Sequence, residues 1–108
     1  MTVTRSLIRN NLEIGTQPAH VLEKVNRSLI FDTDNTMFVT AVLGILDLRH
    51  DEMTYAIAGH PPPLIYRSSE NEVEQLSGSG LALGVIEDLK LENQKVRLER
   101  DDLVLFFT

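Results

Sequence analysis

A run of apolar residues from Met37 to Leu48 (MFVTAVLGILDL) restricts the fold more than any other part of the sequence. Successive side chains of a β-strand point to opposite faces of its sheet. One face of this strand would carry Met37, Val39, Ala41, Leu43 and Ile45, and the other Phe38, Val42, Leu46 and Leu48. Since both faces are apolar, we expect the strand to lie in a middle layer, covered on both sides.

The residues before this strand have the periodicity of helices. Apolar residues at near-helical spacing end at Gly15, and the chain restarts at Thr16-Gln17-Pro18, which is typical of a helix start. The two apolar faces are Val3, Leu7, Ile8 and Leu12, then Val21, Leu22, Val25 and Leu29. We predict two amphipathic helices that form an antiparallel pair.

The residues after the apolar run predict further short strands separated by polar turns. The predicted strands are 53–58, 62–67, 73–76, 91–98 and 103–107. Helices followed by strands in series predict an α+β fold, an antiparallel meander covered on one face by helices. We expect residues 1–108 to form a single domain, because the sequence has no internal repeat and no low-complexity linker.

Composition excludes several classes of function. Cysteine is absent, which removes disulfides, thiolate metal sites and cysteine nucleophiles. The net charge is −6, and residues 31–108 alone carry −8, so we expect no nucleic-acid partner. No apolar run reaches the roughly 20 residues of a membrane span, and residues 1–15 lack the apolar stretch of a signal peptide. These features predict a cytoplasmic protein with no membrane partner.

Segment 58–64 (AGHPPPL) is the most unusual motif in the chain. A proline-rich ligand for an aromatic groove would have this composition, but such ligands lie in solvated segments and not between core strands. We favour a rigid corner, in which the prolines fix the chain direction and His60 stands at a sheet edge.

Six segments together resemble the PPM-type serine/threonine protein phosphatases, in the branch that contains bacterial sporulation and sigma-factor-regulating phosphatases (SpoIIE-like). They occur in the order expected for that family and span the whole chain. The segments are 1–9 (MTVTRSLIR), 18–26 (PAHVLEKVN), 37–47 (MFVTAVLGILD), 55–64 (YAIAGHPPPL), 80–85 (GLALGV) and 102–108 (DLVLFFT).

The resemblance implies a four-layer αββα sandwich and a metal-dependent hydrolase. Two Mn²⁺ or Mg²⁺ ions would activate a water for attack on phosphoserine or phosphothreonine. The usual substrate would be a phosphorylated regulatory protein of the anti-anti-sigma type. The family takes its metal ligands from a Gly-Asp pair on an earlier strand, an Asp-Gly step after the late strand and a further acidic pair. None of these motifs is found in residues 1–108.

We therefore expect the chain to be the central portion of a catalytic domain, with no metal ligand of its own and no activity in isolation. The alternative is a phosphatase-like binding or regulatory module without an active site. An incomplete domain would expose sheet edges, which predicts a homo-oligomer.

The resemblance assigns no catalytic residue in this chain. It implies only that His60, with Gly59 and Thr40, lies close to the site. Two turns depart from the family pattern, because Arg49–Glu52 lacks the usual turn glycine and Arg100–Asp102 lacks the glycine before its second aspartate.

Overall fold

A computed structural model describes residues 17–33 and 38–107 of the chain. They form one α-helix and six β-strands. The elements are α1 (Pro18–Thr33), β1 (Ala41–Asp47), β2 (Glu52–Ala58), β3 (Leu64–Arg67), β4 (Glu72–Gln75), β5 (Gln94–Arg97) and β6 (Leu103–Leu105). Within the two described ranges, no helix combines the length and the apolar character needed to cross a bilayer.

Helix α1 is the second of the two predicted helices. It begins at Pro18, where the missing N–H costs nothing. The side-chain oxygen of Asn93 accepts a hydrogen bond from the backbone N–H of Ala19 at 2.8 Å, and so satisfies one of the free donors of the first turn. The predicted apolar face is confirmed, since Val21, Leu22, Val25 and Leu29 are fully buried. The first predicted helix, over residues 1–15, lies outside the described residues.

The strands form two antiparallel three-stranded sheets, in the orders β1-β2-β5 and β4-β3-β6. The α+β class is confirmed, but the single meander is wrong. After β4 the chain returns to the first sheet for β5 and then to the second sheet for β6, because alternation along a strand fixes its faces and not its neighbours.

The two sheets lie face to face, with α1 on the outer side of the first. One core cluster joins the apolar face of α1 to Ala56 and Ala58 of β2. The opposite face of β2 carries Met53, Tyr55 and Ile57, which pack against the second sheet. The first sheet is therefore a middle layer, as the apolar run predicted, and the described residues provide three layers of an αββα sandwich.

Strand β1 is more exposed than the sequence predicted. It lies at the edge of its sheet, so Leu46 is 58% exposed and Leu48, which follows the strand, is 85% exposed. Its inner part agrees with the prediction, because Ala41 and Leu43 pack towards the helix and Val42 packs towards the second sheet.

The two turns that lack the family's glycine use aspartate instead. Asp51 has a φ of +53° and Asp101 has a φ of +66°. Aspartate is enriched among the non-glycine residues that adopt positive φ, since its short polar side chain can bond locally. Aspartate therefore supplies the residue with left-handed conformation in each of these two turns.

Candidate functional site

The predicted site residues Thr40, Gly59 and His60 lie at one end of the first sheet. Strands β1 and β2 are antiparallel, and their register pairs Ala41 with Ala58. Thr40 precedes the first of these residues, and Gly59 and His60 follow the second. The fold therefore brings Thr40 to the same strand end as Gly59 and His60, which lie about 20 positions later in the sequence.

A third segment joins this strand end. Val39 and Leu83 exchange two backbone hydrogen bonds, of 2.9 Å and 2.8 Å, as an isolated antiparallel bridge. The backbone N–H of Gly59 donates to the carbonyl oxygen of Gly80 at 2.6 Å. The Gly/Ser-rich region after Leu76 is thus hydrogen-bonded to the residues that precede β1 and follow β2. We call residues 80–87 of this region the 80–87 loop.

Gly59 is required by both its conformation and its surroundings. Its φ is +65°, in the left-handed region that favours glycine. A Cβ atom at this position would lie 2.8 Å from the backbone and Cβ atoms of Ala82, much closer than real contacts. Close approach of the 80–87 loop to this turn therefore depends on the absence of a side chain.

His60 is half-buried and has a defined ring orientation. Its Nδ1 lies 2.6 Å from the carbonyl oxygen of Pro61. A carbonyl oxygen only accepts, so Nδ1 carries the proton and Nε2 is the acceptor nitrogen of the neutral ring. Thr40 is exposed at the same strand end, which leaves its hydroxyl accessible to a ligand.

Strand β6 also ends on this side of the molecule. The three prolines that follow His60 lead into β3, whose first residue, Leu64, pairs with Leu105, the last residue of β6. Residues that follow β6 therefore leave the second sheet at the end where β3 begins, and Leu64 is four residues after His60 in the chain.

Two aspartates, Asp102 and Asp47, lie at the strand ends opposite to the end that carries the predicted site residues, and both accept hydrogen bonds within turns. The side chain of Asp102 is only 1% exposed and accepts a hydrogen bond from the Arg67 guanidinium at 2.8 Å. The backbone N–H groups of Glu99 and Ser68 donate to the same carboxylate at 2.9 Å and 3.2 Å. The Glu99 N–H and the Arg67 guanidinium hold the pKa of Asp102 below its ordinary value. This aspartate stabilises a turn.

Asp47, the last residue of β1, has a similar role. Its carboxylate accepts from the backbone N–H of Arg49 at 3.0 Å and lies 2.8 Å from Nδ1 of His50. This hydrogen bond lowers the pKa of Asp47 and raises that of His50. His50 is exposed, as the sequence predicted.

One acidic cluster in the described part of the chain has the spacing of metal ligands. Glu70, Glu72 and Glu74 offer carboxylate oxygens within 4.8 Å of one another. All three are exposed, and the β3–β4 turn beside them is at the end of the second sheet remote from His60. The described residues, 17–33 and 38–107, therefore place no such cluster of carboxylates for a two-metal centre at the strand end where Thr40, Gly59 and His60 lie.

The sequence reasoning missed Asn26, which connects α1 to the 80–87 loop. This residue is fully buried, and its Oδ1 accepts from the N–H of Gly84 at 2.6 Å. Its Nδ2 donates to the carbonyl oxygens of Ile86 at 2.8 Å and Glu87 at 3.3 Å. The sequence feature that could have identified it is an amide residue beside Val25 on a helix face that is otherwise apolar, because a buried polar group needs hydrogen-bond partners.

Comparisons with known proteins relate the whole chain to one family. A family model described as "Stage II sporulation protein E (SpoIIE)" matches residues 1–108. Phosphoserine phosphatase RsbU of Bacillus subtilis (strain 168) is 31% identical over 96 residues, covering 89% of this chain and 29% of RsbU. Stage II sporulation protein E of Priestia megaterium is 23% identical over 105 residues, covering 97% of this chain and 18% of that protein.

Solved structures give the same relationship. A crystal structure of the RsbU and RsbW domains of a Mycobacterium tuberculosis protein matches with a TM-score of 0.78 and 26% identity, over 98% of this chain and 29% of that one. The phosphatase domain of SpoIIE from Bacillus subtilis matches with a TM-score of 0.55 and 26% identity, over 94% of this chain and 45% of that one. The chain thus spans less than a third of the length of these curated relatives.

Proposed function

Because this chain belongs to the SpoIIE family, we propose that it is part of the catalytic domain of a protein serine/threonine phosphatase. Its substrate is a phosphorylated regulatory protein of the anti-anti-sigma type. The observation that carries this proposal is the convergence of Thr40, Gly59 and His60 at one strand end, in a fold that matches a phosphatase domain of the same family.

We propose that hydrolysis by the complete domain uses Mn²⁺ or Mg²⁺. Asp47, Asp102 and the glutamate cluster do not fit such a centre. The two aspartates are bonded within turns, and the cluster lies beside the β3–β4 turn, at the other end of the second sheet from Leu64. We therefore propose that the metal ligands come from other parts of the protein, and that residues 1–108 alone do not hydrolyse a phosphoprotein.

We propose that Gly59, His60 and Thr40 lie at the border of the phosphatase site. Gly59 lets the 80–87 loop approach the strand end, and the Nδ1–H of His60 is held by the Pro61 carbonyl. In the neutral form of the ring, Nε2 is therefore the hydrogen-bond acceptor. The hydroxyl of Thr40, exposed beside them, can donate to or accept from a phosphoprotein.

The direct test compares two proteins. The natural protein that carries this chain, in buffer with Mn²⁺, is expected to release phosphate from a phosphoserine protein of the anti-anti-sigma type. The 108-residue chain is expected to release none. Turnover by the 108-residue chain would refute the proposed division of the site. A natural protein that binds the phosphoprotein without hydrolysing it would support the alternative, a phosphatase-like regulatory module.

The place of His60 is tested by His60→Gln in the natural protein. We expect kcat/KM to fall by about tenfold or more, which corresponds to about 1.4 kcal/mol of transition-state stabilisation. His50→Gln is the matched control, because His50 is exposed at the other end of β1. Equal effects of the two substitutions would remove His60 from the site.

We further propose that the chain forms a homo-oligomer through its open sheet edges. Edge strands β1 and β6 flank an apolar cleft of about 510 Å³ between the sheets, lined in part by Leu46, Met53, Val104 and Phe106. Exposed strand edges next to apolar surface favour pairing with another chain. Sedimentation equilibrium is expected to show a dimer or larger species that Leu46→Lys weakens. A strictly monomeric chain at high concentration contradicts this proposal.

A further inference from the structure

Asn26 is a polar residue among apolar side chains, and the hydrogen bonds that its side chain makes with the described residues all go to the 80–87 loop. Oδ1 accepts from Gly84, and Nδ2 donates to Ile86 and Glu87. The orientation of the amide follows from chemistry, because a backbone N–H only donates and a carbonyl oxygen only accepts. One side chain of α1 therefore fixes three backbone groups within four consecutive residues.

The hydrogen bonds of Asn26 also bear on the residues that the 80–87 loop contacts. Leu83, adjacent to Gly84, forms the two-bond bridge with Val39, which is next to Thr40. At its other end, the 80–87 loop accepts the hydrogen bond from Gly59 through Gly80. The Asn26 amide and the candidate site are thus connected through one short stretch of backbone.

We propose that Asn26 is a positioning residue for the phosphatase reaction: it holds the 80–87 loop in the conformation that places Gly59, His60 and Thr40. This inference rests on the proposed function. A buried polar group whose partners are all satisfied specifies one backbone arrangement, because any other arrangement leaves buried donors or acceptors unpaired. An apolar residue at position 26 could fill the same space but would not select among loop conformations.

Asn93 provides a matched control. It also connects α1 to the loop region, through the single hydrogen bond to the N–H of Ala19. That contact lies at the start of the helix, six residues beyond the end of the 80–87 loop. Asn93→Ala therefore weakens the attachment of α1 and leaves the three bonds of Asn26 in place.

The experiment uses the natural protein that carries this chain, with Asn26→Ala and Asn93→Ala. Alanine is a better helix former than asparagine, so Asn26→Ala does not weaken α1 through helix propensity. The measurements are kcat and KM for the phosphoprotein in Mn²⁺, the melting temperature, and hydrogen–deuterium exchange of peptides covering 38–40, 58–60 and 80–87. If Asn26→Ala does not fold, Asn26→Ser, which keeps a short hydrogen-bonding group, replaces it.

For Asn26→Ala we expect faster exchange in all three peptides and a kcat lower by about tenfold or more, with KM within threefold. For Asn93→Ala we expect kcat within twofold of the unaltered protein despite a lower melting temperature. The proposal is overturned if the two variants lose the same kcat, or if exchange rises in 80–87 while kcat is unchanged.

The same experiment distinguishes a failure of the proposed phosphatase function from a failure of the proposed role of Asn26. If the unaltered protein hydrolyses no phosphoprotein, the phosphatase assignment fails, and the exchange data alone decide the role of Asn26. Faster exchange that extends from 80–87 to 58–60 supports positioning by Asn26. Faster exchange confined to 80–87 overturns it.

Discussion

Replacing Gly59 by alanine tests whether this turn must lie directly against the 80–87 loop. The substitution adds one methyl group at a residue with a φ of +65°. That methyl would lie 2.8 Å from backbone and Cβ atoms of Ala82, which cannot move aside as the end of a flexible side chain could. Either the turn or the loop must shift, and the shift would break the Gly59–Gly80 hydrogen bond.

Two costs add at this position. The left-handed conformation costs a residue with a Cβ roughly 1–2 kcal/mol. Forcing an extra methyl into a close-packed contact costs about 1–3 kcal/mol more. The expected loss of about 2–5 kcal/mol is a large part of the roughly 5–15 kcal/mol that stabilises an ordinary domain.

The assay is denaturant unfolding followed by circular dichroism, with the free energy of unfolding extrapolated to water. Gly44→Ala is the control, because its new methyl would lie 3.1 Å from the flexible Met53 Sδ and its φ is not in the left-handed region. We expect that control to remain within about 1 kcal/mol of the original chain. A Gly59→Ala chain as stable as Gly44→Ala would refute the close approach of loop and turn.

Three further predictions concern stability and titration. The lowered pKa of Asp102 means that its contribution to stability is present at neutral pH and is lost as pH falls below about 4; Asp102→Asn should flatten the acid side of the stability–pH curve. The raised pKa of His50 means that its bond to Asp47 stabilises the fold below pH 6.5 and is lost as pH rises through the higher folded value. In an NMR titration, Asp47→Asn should lower the His50 midpoint. Leu22→Ala should cost about 2–5 kcal/mol in urea unfolding, whereas Phe31→Ala, at a side chain that is 84% exposed, should change stability by less than about 0.5 kcal/mol.

Much of the fold was predictable because the local periodicity of apolar residues specifies helices, strands and the faces that they bury. The spacing of Leu22, Val25 and Leu29 predicted the buried face of α1. Alternation along the apolar run predicted that Val42 packs on the opposite side of the sheet from its neighbours at 41 and 43. Strand partners were not predictable in this way. The pairing of Met53 with Val96 depends on contacts between distant residues, and no local pattern specifies them.

The candidate site was predictable only in part, for the same reason. A glycine followed by histidine and three prolines stood out locally, and it identified the turn at Gly59 and His60. The residues that hold this turn come from elsewhere in the sequence, namely Gly80, Ala82 and Asn26. Of these, Asn26 was the one with a readable signal, since an amide on an apolar helix face requires a buried partner.

The acidic residues show how the same side-chain chemistry serves different purposes according to the backbone around it. Sixteen Asp and Glu residues suggest a chain suited to metal binding when they are merely counted. In the fold, Asp47 and Asp102 accept backbone N–H groups in turns, and Asp51 and Asp101 adopt the left-handed conformations that glycine would otherwise supply. A carboxylate whose lone pairs already satisfy a turn can coordinate a cation only by releasing those donors, which would expose the turn to unfolding. The fold therefore directs these four aspartates to the geometry of its turns and away from the strand end where hydrolysis is proposed.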